Sequence, residues 1–184
     1  MDNLQGLELL KKYVKNENII KHSIATEAVM RVLAKKFSED EEKWALTGLL
    51  HDIDVDITDG DLKRHTLEAE KILRENGVTE DMIEAIKMHN ETASGKKRTE
   101  KFHKALASAE TITGLIVATA LVYPDKKLSS VRTSSVLKRM KEKRFAASVD
   151  RNIIMECEDI GIPVEQFVEI SLNVMQSVSA ELGL

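Results

Sequence analysis

The sequence has few of the residues that build tight turns and aromatic clusters. Its 184 residues include 8 Gly and 2 Pro, too little turn material for an all-β sandwich or barrel. Aromatic residues make up 4% of the chain, so aliphatic side chains and methionine must fill the core that a 42% hydrophobic content allows. These scarcities favour a helical fold with an aliphatic core.

Cysteine is nearly absent, and the sequence has no long apolar run and no excess of positive charge. The single cysteine, Cys157, has no partner for a disulfide or a CxxC motif, and we interpret it as a small residue on a helix face. The most apolar run, residues 114–123, is shorter than the ~20 residues of a membrane-spanning helix. A net charge of −4 argues against bulk nucleic acid or an anionic membrane as the main partner. We therefore expect a cytoplasmic protein that does not bind membranes.

Apolar residues recur at helical spacing along most of the chain and predict about eight helices and no strand. No linker, repeat or composition change marks a domain boundary. The prediction is an all-α, single-domain helical bundle over residues 1–184. A core of about 20–120 carries the chemistry, and the helices of 125–184 pack on it.

Two helix boundaries are predicted from particular side chains. Ser38 and Glu41 have the spacing of a capping box, which predicts that Ser38 opens the helix containing Trp44. A further helix is predicted from Leu62 to Asn76, where Gly77 would end it. The acidic segment 54–61 and the polar segment 90–99 are predicted to be loops.

Four histidines lie at or near the predicted helices, at positions 22, 51, 65 and 89. Neutral imidazole is the commonest protein ligand for transition metals. Asp52 directly follows His51, and a carboxylate can bridge two ions. A His-Asp pair alone occurs easily by chance, so the metal hypothesis depends on the ordered set.

In their order these residues resemble the HD-domain (HDIG-like) metal-dependent phosphohydrolase superfamily. The resemblance covers residues 20 to about 120 and is carried by His22 and by the segments TGLLHDIDVD, RHTLEAEKIL, AIKMHNE and ALASAETITGLIVA. Two positions depart from the pattern. Asp54 stands where the branch name implies Gly, and Glu110 stands where such proteins usually have Asp.

The resemblance implies an HD-like helical domain that binds one or two divalent ions, which could be Mn, Fe, Co, Ni or Zn. One ion would be bound by His22, His51, Asp52 and Glu110. Asp52 would bridge to a second ion bound by His65 and His89. The implied reaction is hydrolysis of a phosphate ester or anhydride of a small nucleotide-like substrate, with His51 and Asp52 at the catalytic centre.

Phosphate-binding groups are harder to choose from the sequence. Five of the seven residues 138–144 are basic, which indicates either a solvated helix face or a set of phosphate ligands. The candidates are Lys138, Lys141, Lys143, Arg151 and Asn90. Asn90 could instead orient the neighbouring His89. His103 matches no motif position, and we expect it to be a surface or structural residue.

Two alternatives remain open at this point. Glu110 in place of Asp is compatible with a regulatory or ligand-binding HD module whose catalysis is weakened. Some HD-fold proteins also use a similar histidine-rich di-iron site for oxygen-dependent chemistry, so a dinuclear-iron oxygenase is the less favoured third interpretation.

Overall fold

The computed structural model describes all 184 residues and contains helices but no strand, which confirms the predicted all-α fold. Nine helices have nine or more residues and three have four. In chain order the helices are α1 Asn3–Tyr13, α2 Glu17–Phe37, α3 Glu41–Leu50, α4 Val55–Thr58, α5 Leu67–Glu75, α6 Glu80–His89, α7 Glu91–Ser94, α8 Lys101–Leu121, α9 Thr133–Lys141, α10 Arg151–Asp159, α11 Val164–Ser177 and α12 Ser179–Leu182. A 3-10 turn covers Leu128–Ser130.

The predicted capping box at the start of α3 is wrong. Asp40 is the N-cap, and its carboxylate accepts a hydrogen bond from the Lys43 backbone N–H. Ser38 instead ends α2 in a left-handed conformation with φ 57°. Because the chain must turn sharply between two helices, Ser38 is used for the turn and the next suitable side chain caps the new helix.

The helix predicted from Leu62 begins five residues later, at Leu67. Thr66 precedes it with φ 81°, a left-handed conformation that a β-branched residue rarely adopts. This conformation separates the turn that carries His65 from α5. The two predicted loops are also more ordered than expected, because each contains a four-residue helix, α4 or α7.

The core is a single cluster of buried aliphatic side chains that extends from Leu9 to Leu182. Helix α8 lies at its centre and packs against α2, α6 and α10. By length and composition α8 could cross a membrane, but 67% of its most apolar window is buried inside the protein, as in a core helix. Cys157 is buried on α10, where burial raises the pKa of its thiol to about 12.

Helices α2 and α3 pack closely at Gly48. A Cβ atom at this position would lie 2.9 Å from the Thr26 carbonyl oxygen and 3.0 Å from the Glu27 nitrogen, both in the backbone of α2. Only glycine therefore permits this approach without displacing a helix. The contact sets the spacing between the two helices that carry His22 and His51.

Candidate metal centre

Four segments of the chain direct side chains to one point in the helical bundle. His22 extends from α2, and His51 is the C-cap of α3 with Asp52 directly after it. His65 lies in the turn before α5, and His89 is the last residue of α6. These residues are buried or partly buried, and all of them except His51 line a cavity that α8 borders.

Asp52 divides the histidines into two groups of potential ligands. In the first triad, Asp52 Oδ2 lies 3.4 Å from His51 Nε2 and 3.7 Å from His22 Nε2. In the second triad, Asp52 Oδ1 lies 3.2 Å from His65 Nε2 and 3.7 Å from His89 Nε2. Each triad brings three potential ligand atoms within 4.8 Å of one another. The two oxygens of one carboxylate thus face two separate pairs of imidazoles.

All four imidazoles are fixed through their outer nitrogen. In each ring the Nδ1–H group donates a hydrogen bond to a nearby oxygen, and Nε2 faces Asp52. The acceptors are Thr113 Oγ1 for His22 (2.9 Å), Gly48 O for His51 (2.8 Å), Asp54 Oδ1 for His65 (2.8 Å) and Ile86 O for His89 (2.6 Å). Thr113 can accept because its own hydroxyl donates to the Glu110 carbonyl oxygen.

The distances between imidazoles fit metal binding. His22 Nε2 lies 3.1 Å from His51 Nε2, and His65 Nε2 lies 3.1 Å from His89 Nε2. Two nitrogens bound at about 2.1 Å to one ion are separated by about 3.0 to 3.4 Å in octahedral or tetrahedral geometry. With Nδ1 held by an acceptor in every ring, Nε2 is the nitrogen left for a metal, and the two Nε2 atoms of each pair face a shared position; His65 would give up its Nε2 proton on binding. The donor set therefore fits a divalent ion in each triad.

Burial and neighbouring charges shift the pKa values of these groups. Burial, with a smaller contribution from His51, lowers the pKa of His22 to about 4. Burial together with His51 and His65 lowers the pKa of His89 well below its usual value. Burial acts in the same direction on His65, but hydrogen bonds to Asp52 and Asp54 outweigh it and raise the pKa to about 10. Burial opposes ionisation of Asp52, yet the surrounding histidines hold the pKa of its carboxyl well below the usual value.

Glu110 extends from α8 to the edge of the first triad. Its Oε2 lies 4.0 Å from His22 Nε2, while its Oε1 accepts a hydrogen bond from the Thr111 hydroxyl. Burial raises the pKa of its carboxyl to about 8, although the bond from Thr111 acts in the opposite direction. One carboxyl oxygen thus remains available to the first triad.

The cavity above the cluster has a volume of about 670 Å³, and most of the residues that line it are polar or charged. Lys97 and Arg98 are the only lysine and arginine in its lining, and both are paired with carboxylates. Arg98 forms a fork with Glu156 of α10 and also donates to the Met88 and His89 carbonyl oxygens. Arg98 therefore links the C-terminal end of α6 to the opposite wall of the cavity.

The structure places none of the four predicted phosphate-binding cations in the lining of this cavity. Lys138 lines a different cavity beside Tyr123, and neither Lys141 nor Lys143 lines the cavity above the cluster. The Arg151 guanidinium donates to the carbonyl oxygens of Ala146, Val149 and Phe145, so its role is to hold the segment that forms one wall.

Asn90 lies in the lining, but its amide is used for structure. The amide nitrogen donates to the Leu62 and His65 carbonyl oxygens at 2.7 and 3.0 Å, and the amide oxygen accepts from the Thr92 backbone N–H. Asn90 therefore fixes the turn that carries His65. This agrees with the orienting role considered for it, although the histidine it positions is His65 rather than the neighbouring His89.

Three residues of the site had no assigned role in the sequence analysis. Thr113 and Arg98 carry no motif signal, because their partners are 91 and 58 positions away in the chain. Asp54 was visible only as a departure from the branch pattern. His103 is buried on α8, and its Nε2 lies 3.7 Å from the Glu100 carboxylate rather than in the cluster.

Comparison with known protein families agrees with this geometry. The HD domain family matches residues 19–121, more than half of the chain. The chain therefore belongs to the HD-domain metal-dependent phosphohydrolase superfamily. The matched range contains all six residues of the predicted metal set. No solved structure matches the chain.

Proposed function

We propose that this protein is a cytoplasmic hydrolase that uses two divalent ions to cleave a phosphate ester or anhydride bond in a small nucleotide-like substrate. One observation carries the proposal. Four imidazole Nε2 atoms, each fixed through Nδ1, converge in pairs on the two oxygens of Asp52.

The first ion would be held by His22, His51, Asp52 Oδ2 and Glu110, and the second by Asp52 Oδ1, His65 and His89. When bound, a pair of such ions supplies an activated water and neutralises charge on the phosphoryl oxygens. The chain itself fixes the ligands, and its one cysteine, Cys157, is buried on α10 outside the cavity lining.

The charge of the cavity explains why phosphate binding would require metal. Five carboxyl groups line it, from Asp52, Glu91, Glu110, Asp150 and Glu156; the raised pKa of Glu110 leaves that group largely protonated at neutral pH, and the lysine and arginine of the lining are already paired with Glu91 and Glu156. A phosphorylated substrate would be repelled by this wall unless ions at the cluster supplied positive charge. The volume of about 670 Å³ lies within the range of cavities that bind molecules of nucleotide size.

The first experiment measures metal per chain by mass spectrometry on protein purified without chelator, beside the His51→Ala variant. About two transition-metal ions in the wild type, with loss in the variant, support the proposal. Protein reconstituted with Mn, Fe, Co, Ni or Zn is then assayed for phosphate release from mono-, di- and cyclic nucleotides.

The alternatives give different results in the same assays. Nucleotide binding without hydrolysis, unchanged in His51→Ala, would favour the regulatory module. Activity restricted to iron and accompanied by oxygen consumption would favour an oxygenase. Protein that binds two ions but hydrolyses none of these phosphates would contradict the proposed reaction.

A further inference from the structure

Asp54 is fully buried, and its carboxylate accepts three hydrogen bonds. Oδ1 accepts from His65 Nδ1 at 2.8 Å, while Oδ2 accepts from the backbone N–H groups of Thr66 at 2.7 Å and Ala69 at 3.0 Å. The three donors compensate for the burial of a charged group. One carboxylate thus ties the ring of a proposed metal ligand to the first turn of α5.

The segment around His65 depends on this support more than the other ligand segments do. His22 and His89 lie within helices, and His51 is the C-cap of α3 with helical backbone angles. His65 lies in a turn, and the next residue, Thr66, has φ 81°. A β-branched residue in this conformation is strained, so surrounding contacts must hold it there. The Thr66 N–H bonds to Asp54, and the His65 carbonyl is held by Asn90.

The first triad has no such dependence on Asp54. The outer nitrogens of His22 and His51 are held by Thr113 and by the Gly48 carbonyl oxygen. Asp54 hydrogen-bonds to neither ring; the ring it fixes belongs to the second triad alone.

We infer that Asp54 is a positioning residue that makes the two metal positions unequal. It sets the affinity of the second position, formed by Asp52 Oδ1, His65 and His89, and leaves the first largely unaffected. The inference rests on the proposed dinuclear centre. It also accounts for the residue that departs from the HDIG pattern: an acid at this position reaches the turn before α5, which a glycine lacks the side chain to do.

The test is a metal titration of the Asp54→Asn variant, with binding measured by calorimetry for Mn²⁺ or from the visible spectrum for Co²⁺. The amide keeps the size of the side chain but has one acceptor oxygen where the carboxylate has two. With that oxygen toward the Thr66 and Ala69 N–H groups, the amide NH2 faces His65 Nδ1 and does not accept a bond from it. We expect the second binding step to weaken by about 10- to 100-fold and the first to change by less than about threefold. At a free metal concentration that fills both wild-type positions but lies below the weakened second dissociation constant of the variant, the metal content falls from two ions per chain in the wild type to one in Asp54→Asn.

Two variants bracket this result. His65→Ala removes a ligand of the second position directly and should give the same one-ion protein. Asp56→Asn is the matched control, since the Asp56 carboxylate also accepts backbone N–H bonds, from Lys15 and Asn16, but touches no histidine. We expect Asp56→Asn to bind two ions with wild-type affinities.

A measurement without metal separates positioning from general destabilisation. In metal-free wild-type protein, the nitrogen resonances of the His65 ring should report Nδ1 as protonated and hydrogen-bonded, and Asp54→Asn should abolish this signature while the His51 ring is unchanged. Two equally tight sites in Asp54→Asn would overturn the inference and leave the dinuclear centre intact. Parallel loss of both sites would also overturn it, and wild-type protein that binds no metal would overturn both proposals.

Discussion

Asp52 differs from the other proposed ligands because both of its oxygens are used. Each imidazole contributes to one triad, whereas Asp52 contributes to two. We expect Asp52→Ala to lose both ions and to lower phosphate release by roughly 10³-fold or more, the largest loss of any single substitution. Metal content and hydrolysis rates measured on the same preparation check this.

His103→Ala provides the contrast. Its ring is buried but lies outside the cluster, so we expect activity within about twofold of wild type and a lower melting temperature from the lost packing. Comparable losses of activity in Asp52→Ala and His103→Ala would show that the site is misplaced.

At the residue scale, the ordered histidines and Asp52, with local motifs around them, predict a metal set, and the structure brings these five residues together. Phosphate-binding cations could not be chosen from the sequence, because a basic residue looks the same in sequence whether it binds phosphate or donates to carbonyl oxygens, as Arg151 does. Arg98, which does line the cavity, lies in a segment predicted only as a loop.

At the scale of elements, Arg98 links the turn after α7 to α10. Its side chain is 4% exposed and paired with Glu156, whereas the adjacent Lys97 is 88% exposed and paired with Glu91. Removing one partner of a buried pair leaves an uncompensated charge and costs about 3 to 5 kcal/mol. Removing one partner of an exposed pair costs about 0 to 1 kcal/mol.

We therefore expect Arg98→Ala to lower the free energy of unfolding by several kcal/mol and Lys97→Ala to change it little. Urea denaturation of the two variants checks the difference. Equal effects would mean that the Arg98 fork does not join the two walls of the cavity.

Helical periodicity predicted the long elements well: α2 buries one face over 21 residues, and α8, also 21 residues long, is buried around most of its circumference. It failed at the ends and in short elements. The capping-box spacing predicted Ser38 as the cap of α3, but the turn that ends α2 uses Ser38, and Asp40 caps the helix instead. The late start of α5 depends on Asp54, which lies 12 positions before Thr66, so local propensity could not reveal it.

The whole molecule should respond to acid through its buried histidines. In the metal-free fold the pKa of His22 is lowered from 6.5 to about 4 by burial, and that of His89 is lowered as well. The unfolded chain therefore binds more protons than the fold below pH 6.5, and stability falls as the pH drops toward 4. For His22 alone the loss is about 3 kcal/mol.

His65 affects the pH dependence of stability in the opposite direction. Its raised pKa, about 10, stabilises the fold fully below pH 6.5, and this stabilisation is lost as the pH rises toward 10. Urea unfolding of chelator-treated protein at pH 7.0, 5.5 and 4.5 checks the acid side. A flat profile would contradict it, and His22→Gln should be less sensitive than wild type over this range.

Gly48 has a consequence for the accuracy of the metal centre. Because Gly48 has no Cβ atom, α2 and α3 can pack closely at this position. Its carbonyl oxygen also orients the His51 ring. Gly48 therefore sets both the distance between His22 and His51, which lie on different helices, and the orientation of the His51 ring. In Gly48→Ala the helices must move apart by several tenths of an ångström, so we expect weaker binding at the first metal position, measured by the same titration, with the second largely retained. The geometry of each metal position would then depend on a different residue outside the ligand set. The first position depends on Gly48, which has no side chain, and the second depends on the buried carboxylate of Asp54.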